Sequence, residues 1–464
     1  MSYVTADAAM IWDAIVVGSG QAGVPLAVKL AGAGKRVLLV ERGDLGGTCV
    51  NTGCTPSKTM IASARAAHVA RTAGRLGIKV GAVLADLAAI VKRKDQVVRE
   101  WREGVERRLA AAKDRLTVMR GHARFVAERT VEVGGERHRG QIVVIDTGAR
   151  PAVPRIPGLD AVAWLDNHRA MDLQRLPEHL LVLGGGYVGC ELAQMFRRFG
   201  ARVSIVERAA HLMEREDPEI SSSIEAVFRE EGIDLHLGTS VGGVGQREAS
   251  IALRLTNGRD LAGSHLLVAT GRRPNTDDLG CAAAGVKLDP QGFVVIDDRY
   301  LTSAPGVYAV GDVSGEPQFT HVAWDDHRIL FDLLMARSQR GRGGRAYPHV
   351  AFTDPQVAGV GLTEQQAKAS GVSFEAATYP FASIARARET EERAGVLKVL
   401  IDPGSERILG AAIVGAEAGE LLHVFVALMQ AGASARALVD AEIAHPTFAE
   451  GLQSLVMGLG RFGP

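Results

Sequence analysis

Residues 13–42 read DAIVVGSGQAGVPLAVKLAGAGKRVLLVER. An apolar run meets a Gly-x-Gly-x-x-Gly turn at Gly18, Gly20 and Gly23, and a helix-like stretch follows. A second apolar run then ends on Glu41 and Arg42. In such a strand–turn–helix–strand unit the first glycine permits the tight turn. The second lets a pyrophosphate approach the backbone, and the third lets helix pack on strand. The helix N-terminus offers N–H groups and a positive dipole end to phosphate, while an acid about 20 residues on can hold ribose hydroxyls. Glu41 stands where that acid belongs.

The pattern recurs. Residues 179–208, HLLVLGGGYVGCELAQMFRRFGARVSIVER, align with 13–42 without gaps. Gly184, Gly186 and Gly189 repeat the three glycines, and Glu207 and Arg208 repeat Glu41 and Arg42. One such turn is a weak signal; two in matching context predict two Rossmann-like dinucleotide sites and an α/β fold.

The rest of the composition narrows the field. A chain of 464 residues exceeds one ordinary core and predicts several domains. Lys plus Arg and Asp plus Glu balance at 53 each, which points away from nucleic acid or a membrane surface as partner. No apolar stretch is long enough to suggest a membrane span, and residues 1–20 lack the basic start of a signal peptide, so a cytoplasmic protein is expected. Four cysteines are too few for a disulfide scaffold.

Two of those four lie together in residues 46–58, GGTCVNTGCTPSK, just beyond Glu41. On one regular helix an offset of five turns side chains about 140° apart. A disulfide needs Cα atoms within roughly 7 Å. The pair therefore works if Cys49 precedes a helix and Cys54 sits in its first turn, with Gly53 easing the bend. Pro56 is tolerated in a first turn, and the helix N-terminus makes thiols there reactive. Zinc would need about four ligands, and Cys190 and Cys281 sit isolated in apolar surroundings as expected packing residues. A redox-active pair is the better reading, with no metal site. A cofactor that exchanges electrons with a disulfide and also accepts hydride is a flavin, so the first turn reads as an FAD site and the second as the nicotinamide site. Glu207 favours NADH, because it suits a 2′-hydroxyl and repels a 2′-phosphate. Arg208 decides nothing, since Arg42 has the same place in the FAD copy.

These motifs, with TGRRPNTD, VYAVGD and AHPTFAE in the same order along nearly the whole chain, resemble the pyridine nucleotide–disulfide oxidoreductase family, in its mercuric reductase-like and dihydrolipoamide dehydrogenase-like branch. The resemblance implies an FAD-binding domain over 1–150 and an NAD(P)-binding domain over 151–271. It adds a central domain over 272–345 completing the FAD site, and an α+β dimerisation domain over 346–464. It implies that Cys54 is the thiol beside the flavin and Cys49 the thiol that attacks substrate. Lys58 would lie near the flavin and pair with Glu191, and Tyr187 would gate the nicotinamide site. Thr48, Thr147, Gly148 and Asp312 would line the FAD site and Gly271 the second nucleotide site. His445, oriented by Glu450, would act as base on the cysteines of the other subunit, so a homodimer is expected.

The acceptor is less legible. Residues 454–464, SLVMGLGRFGP, carry no cysteine pair to hand mercury inward, and no metal-binding domain is seen ahead of the first strand, so efficient mercury turnover is not expected. The expected activity passes electrons from NAD(P)H through FAD and Cys49–Cys54 to a disulfide, metal-ion or oxidised-thiol acceptor. Dihydrolipoamide dehydrogenase is the second enzyme reading, and a low-turnover redox-sensing flavoprotein the reading from another class. Residues 91–116, charged throughout, read as a solvated helix without chemistry.

Overall fold

The computed structural model describes residues 11–248, 250–315 and 317–463. The chain divides into two compact units, one formed by residues up to 57 with 93–152 and 272–345, the other by 58–92, 153–271 and 346 onward.

In the first unit, Ile11–Val17 pairs in parallel with Val37–Glu41 on one side and with Glu136–Ile145 on the other. Leu116–Arg120 extends the parallel sheet beyond Val37–Glu41, and Val307–Ala309 also pairs with Glu136–Ile145. Thr130–Val133 and Ala123–Ala127 continue it as an antiparallel meander. Near-continuous apolar strands are what a parallel sheet covered on both faces requires, and Ala14–Val17 and Val37–Val40 are buried without interruption. Helix Gly23–Gly32 buries Val24, Leu26, Ala27, Leu30 and Ala31 against this sheet.

The second unit repeats the arrangement. His179–Leu183 lies between Arg202–Val206 and His265–Val268, all parallel, with Asp234–His236 and Trp164–Leu165 at the edges. Helix Tyr187–Phe199 covers it with one apolar face, including Leu192, Met195, Phe196 and Phe199. Residues 347 onward form an antiparallel five-stranded sheet ordered His349–Ala351, Gln356–Gly361, Ile408–Gly415, Val396–Ile401, Glu375–Pro380. Helices Ala418–Ala431 and Glu450–Met457 pack on its apolar core. The fold class is the α/β architecture with a C-terminal α+β portion that the sequence implies.

The charged stretch within 91–116 differs from expectation. Most of it is helix Leu87–Ala111, but Val91, Val98, Val105 and Leu109 are buried at helical spacing. Only its other faces are solvated, because a seven-residue apolar repeat keeps one stripe of the helix from water.

Candidate active site

The first glycine turn is built around an acid the sequence did not single out. Gly18 has φ of 108°, and a Cβ there would lie 2.1 Å from the Asp146 carbonyl oxygen. A Cβ on Gly20 would lie 2.7 Å from Asp146 Oδ2, and one on Gly23 would lie 2.2 Å from the Gly18 carbonyl oxygen. The Gly23 N–H donates to Asp146 Oδ2 at 2.7 Å. Burial holds the Asp146 carboxyl well above the usual carboxylate range; Asp312 and Glu41 add to the rise, against amide hydrogen bonds from Gly23 and Gly20. Glu41 braces the same turn, accepting from Ser19 N–H at 2.9 Å, Ser19 Oγ at 2.7 Å and Gly43 N–H at 2.7 Å.

After this turn the chain reaches the cysteines. Gly47–Asn51 is a five-residue helix entered through Gly46 at φ 101°. Thr52 ends it at φ −139°, and Cys54 opens the next helix, Cys54–Thr72. Cys49 thus precedes the long helix as expected, but within a short helix of its own. A side chain at Gly53 would put its Cβ 2.9 Å from the Thr48 carbonyl oxygen, which is why the break between the helices takes glycine. Both cysteines are half-buried and Thr48 is exposed. Cys54 Sγ lies 3.2 Å from Thr320 Oγ1, and Thr320 opens helix Thr320–Leu334. By contrast Cys190 is fully buried, with its thiol pushed far up by burial, and burial pushes Cys281 up to about 11. Neither is poised to react.

Thr147, Gly148 and Asp312 lie in the same unit as Cys49, Cys54 and Thr320. Thr147 Oγ1 is buried with no hydrogen-bond partner among the described residues, and so is Arg272 Nε. Asp312 is raised by burial, although Arg272 at 3.1 Å opposes the rise. Gly148 adopts φ 66°, and its carbonyl accepts from Asn275 N–H at 3.0 Å. Asn275 Nδ2 donates to the Thr147 carbonyl oxygen at 2.8 Å, tying the two crossing segments. Three glycines with no room for Cβ, orphaned buried polar atoms and a helix N-terminus suit the pyrophosphate and polar chain of a flavin dinucleotide.

In the second unit Gly184 has φ of 109°, with a would-be Cβ 2.4 Å from the Ala269 carbonyl oxygen, and Gly189 meets the Gly184 carbonyl oxygen at 2.0 Å. A Cβ on Gly186 meets nothing within 4 Å. Glu207 accepts from Gly185 N–H at 2.6 Å and Ala209 N–H at 2.9 Å, the same bracing role as Glu41. Gly271, in the loop after His265–Val268, adopts φ 129°. These features suit a second dinucleotide.

Lys58 forms an ion pair with Glu191 at 2.7 Å and stands 4.8 Å over the Phe352 ring. The other Glu191 oxygen accepts from Phe352 N–H at 2.8 Å. Tyr187 donates its hydroxyl to Glu216 at 2.6 Å, and the His349 ring, stacked 5.7 Å from Tyr187, meets the same Glu216 oxygen at 2.7 Å. Phe352, Glu216 and His349 lie far from Lys58 or Tyr187 in sequence and carry no motif, so no local pattern could have flagged them. His445 is exposed and its Nδ1 lies 2.7 Å from Glu450 Oε2, so the carboxylate fixes the ring.

Comparison with known proteins follows the same outline. Residues 12–326 match the pyridine nucleotide-disulphide oxidoreductase family and 347–456 match that family's dimerisation domain. The chain is 35% identical to a mercuric reductase of Staphylococcus aureus, over 95% of this chain and 81% of the relative. It is 35% identical to the probable pyridine nucleotide-disulfide oxidoreductase RclA of Escherichia coli, over 96% and 98% of the two chains. It is 34% identical to a dihydrolipoyl dehydrogenase of Thermus scotoductus, over 97% of each. Among solved structures, the Cu(II) complex of the HOCl-induced flavoprotein disulfide reductase RclA from Escherichia coli superposes with a TM-score of 0.88 at 34% identity, covering 96% of this chain and 99% of that one.

Proposed function

We infer the function from one premise: the chain belongs to the pyridine nucleotide-disulphide oxidoreductase family. It is an FAD-dependent NAD(P)H oxidoreductase. FAD supplies the two-electron carrier between NAD(P)H and the protein's disulfide. The finer reading is that Cys49 and Cys54 form that disulfide and pass the electrons to a soluble acceptor. The observation that carries it is the broken pair of helices, which puts Cys54 first in a 19-residue helix and Cys49 in the short helix before it.

Opening the Cys49–Cys54 bond takes two electrons and leaves two sulfur nucleophiles. Cys49 attacks a disulfide, an oxidised thiol or a metal ion; for a disulfide acceptor it forms a mixed disulfide and releases one thiolate. Cys54 then attacks Cys49, which expels the second half of the acceptor and restores the internal bond. His445, its ring held by Glu450, removes the proton from Cys49 and returns it to the leaving thiolate. We place this base in the site of a second copy, making the homodimer the catalytic unit, in keeping with the dimerisation domain. Lys58, Glu191, Thr48, Thr147, Gly148 and Asp312 are assigned to the flavin region. Tyr187, Gly271 and Glu207 are assigned to the nicotinamide region, with NADH preferred.

A steady-state acceptor panel with NADH and NADPH tests the reading: lipoamide, glutathione disulfide, Hg(II), Cu(II), hypothiocyanous acid and quinones. Cys49→Ser is expected to abolish disulfide and metal-ion reduction while sparing part of the quinone reduction. Equal loss of both would contradict flow through sulfur. Dihydrolipoamide turnover with NAD⁺ above all other substrates would instead favour the dehydrogenase reading.

A further inference from the structure

Tyr187 follows Gly186 in the second glycine turn and opens helix Tyr187–Phe199, so a nucleotide whose phosphates reach that turn meets its half-buried ring. The ring is held twice. Its hydroxyl donates to Glu216 Oε1 at 2.6 Å, and the His349 ring stacks on it at 5.7 Å with 18° between the planes. His349 Nε2 meets the same Oε1 at 2.7 Å, and a carboxylate only accepts, so the imidazole donates there. The Glu216 side chain is 2% exposed. Its segment is tied to the turn: Met213 N–H donates to the Gly185 carbonyl oxygen at 2.8 Å, and the Met213 carbonyl oxygen accepts from Glu216 N–H at 2.8 Å. His349 pairs across the sheet with Gly359, where a Cβ would fall 2.6 Å from the imidazole Cε1. Glycine at that position makes room for the imidazole.

We propose that Glu216 and His349 are positioning residues that hold the Tyr187 ring at the nicotinamide turn and let it move aside at low cost. The inference rests on the assignment of Tyr187 to the nicotinamide region. A ring that yields to an arriving nucleotide must break its bond to Glu216. Taking a hydrogen bond from a buried carboxylate is unfavourable, but Oε1 keeps His349 as the hydroxyl leaves. The two donors divide the task. Tyr187 sets how firmly the turn is covered, and His349 sets how hard it is to uncover.

The test is a double-mutant cycle on NAD⁺ affinity, measured by calorimetry on oxidised, flavin-loaded protein. The set is the parent, Tyr187→Phe, His349→Phe and the double variant. Tyr187→Phe frees the ring from Glu216 and should tighten NAD⁺ binding severalfold, since apparent affinity scales with the population of the open state. His349→Phe keeps an aromatic ring beside Gly359 but removes the donor to Oε1. Its Kd for NAD⁺ should rise about tenfold, the effect of one lost partner on a buried charged group. In the Tyr187→Phe background the same substitution should leave Kd unchanged, because no hydroxyl then leaves Glu216 on binding. A merely structural His349 would weaken binding by the same factor in both backgrounds, and that result overturns the inference. Should His349→Phe fold poorly, as flavin content and melting temperature would show, His349→Gln takes its place with the opposite expectation. It returns an amide donor and should bind NAD⁺ close to the parent value; a clear loss of affinity in well-folded His349→Gln counts against the inference. An affinity that Tyr187→Phe shifts and His349→Phe does not overturns the inference alone. An affinity that neither shifts removes Tyr187 from the nicotinamide region, and the inference falls with that assignment.

Discussion

The two glycine turns descend from the same local rules yet close differently. In both, the first and third glycines lie against backbone oxygen, and an acid braces the residue after the first glycine. At the next layer they part. The strand Glu136–Ile145 leads into Asp146, whose carboxyl fills the space beside Gly20 and takes the Gly23 N–H. In the second unit the strand His265–Val268 leads into Ala269 at the equivalent place, and the space beside Gly186 stays open. The first helix answers by starting at Gly23, with a Val24-to-Gly20 hydrogen bond of 3.3 Å, whereas the corresponding Cys190-to-Gly186 bond is 2.9 Å. A turn with its own buried acid is a fixed cradle, fit for a cofactor that stays. An open turn suits one that must come and go.

The largest expected effect follows from that contrast. Gly20→Ala would drive a methyl into the pinned Asp146 carboxyl, 2.7 Å away, and should strip the flavin and cost about 1–3 kcal/mol of stability. Gly186→Ala, with no atom within 4 Å of its Cβ, should leave fold and flavin content intact and raise only the nicotinamide KM. Flavin absorbance per protein and thermal melts decide between them; equal damage at both positions would erase the distinction.

Next comes the acid itself. Asp146→Ala leaves the buried Gly23 N–H without its acceptor, a loss of about 1–3 kcal/mol. It should weaken flavin retention, and Asp146→Asn should recover much of it. Retention unchanged in the alanine variant would mean that the acid has no part in the cradle.

The pH response is smaller and has a definite sign. Asp146 has a raised carboxyl pKa in the folded protein, so between the ordinary value and the folded one the native state holds more protons than the unfolded state. Its contribution to stability therefore falls as pH rises through that window. Asp146→Asn should flatten this part of the stability profile and gain on the parent as pH increases. Parallel profiles from urea melts would contradict the assigned protonation.

The smallest change is at the braces. Glu207→Gln keeps one carbonyl acceptor for the Gly185 and Ala209 amides but loses the charge. The remaining oxygen can serve Gly185 while the partly exposed Ala209 amide turns to water, so the change should cost about 1 kcal/mol and shift the NADPH-to-NADH preference toward NADPH. Steady-state KM values for the two nucleotides measure it, and an unmoved ratio would remove Glu207 from nucleotide choice.

The sequence made the repeat legible because glycine-rich turns have few physical solutions, and because Glu41 and Glu207 fall at the same spacing. The backbone path through Cys49 and Cys54 was legible for a similar reason, since two thiols that close together admit few backbone paths. Asp146 was not, although it directly precedes Thr147 and Gly148. It closes the turn from a strand more than a hundred residues away, and only the parallel register of Ile11–Val17 with Glu136–Ile145 brings it there. Lys398 is the extreme case. It lies buried on the strand Val396–Ile401 and meets Asp217 at 2.9 Å, Glu364 at 2.7 Å and Glu219, so three acids from distant segments keep it charged. From sequence, that lysine is one polar residue in an apolar run.

Everything assigned to the site depends on electrons passing through Cys49 and Cys54. Differential alkylation under anaerobic conditions measures this directly: native protein is labelled before and after one equivalent of NADH, and the cysteines are resolved by mass spectrometry. The account predicts that Cys49 and Cys54 become reactive only after NADH, while Cys190 and Cys281 stay unlabelled throughout. Labelling of the pair that is the same with and without NADH would contradict it.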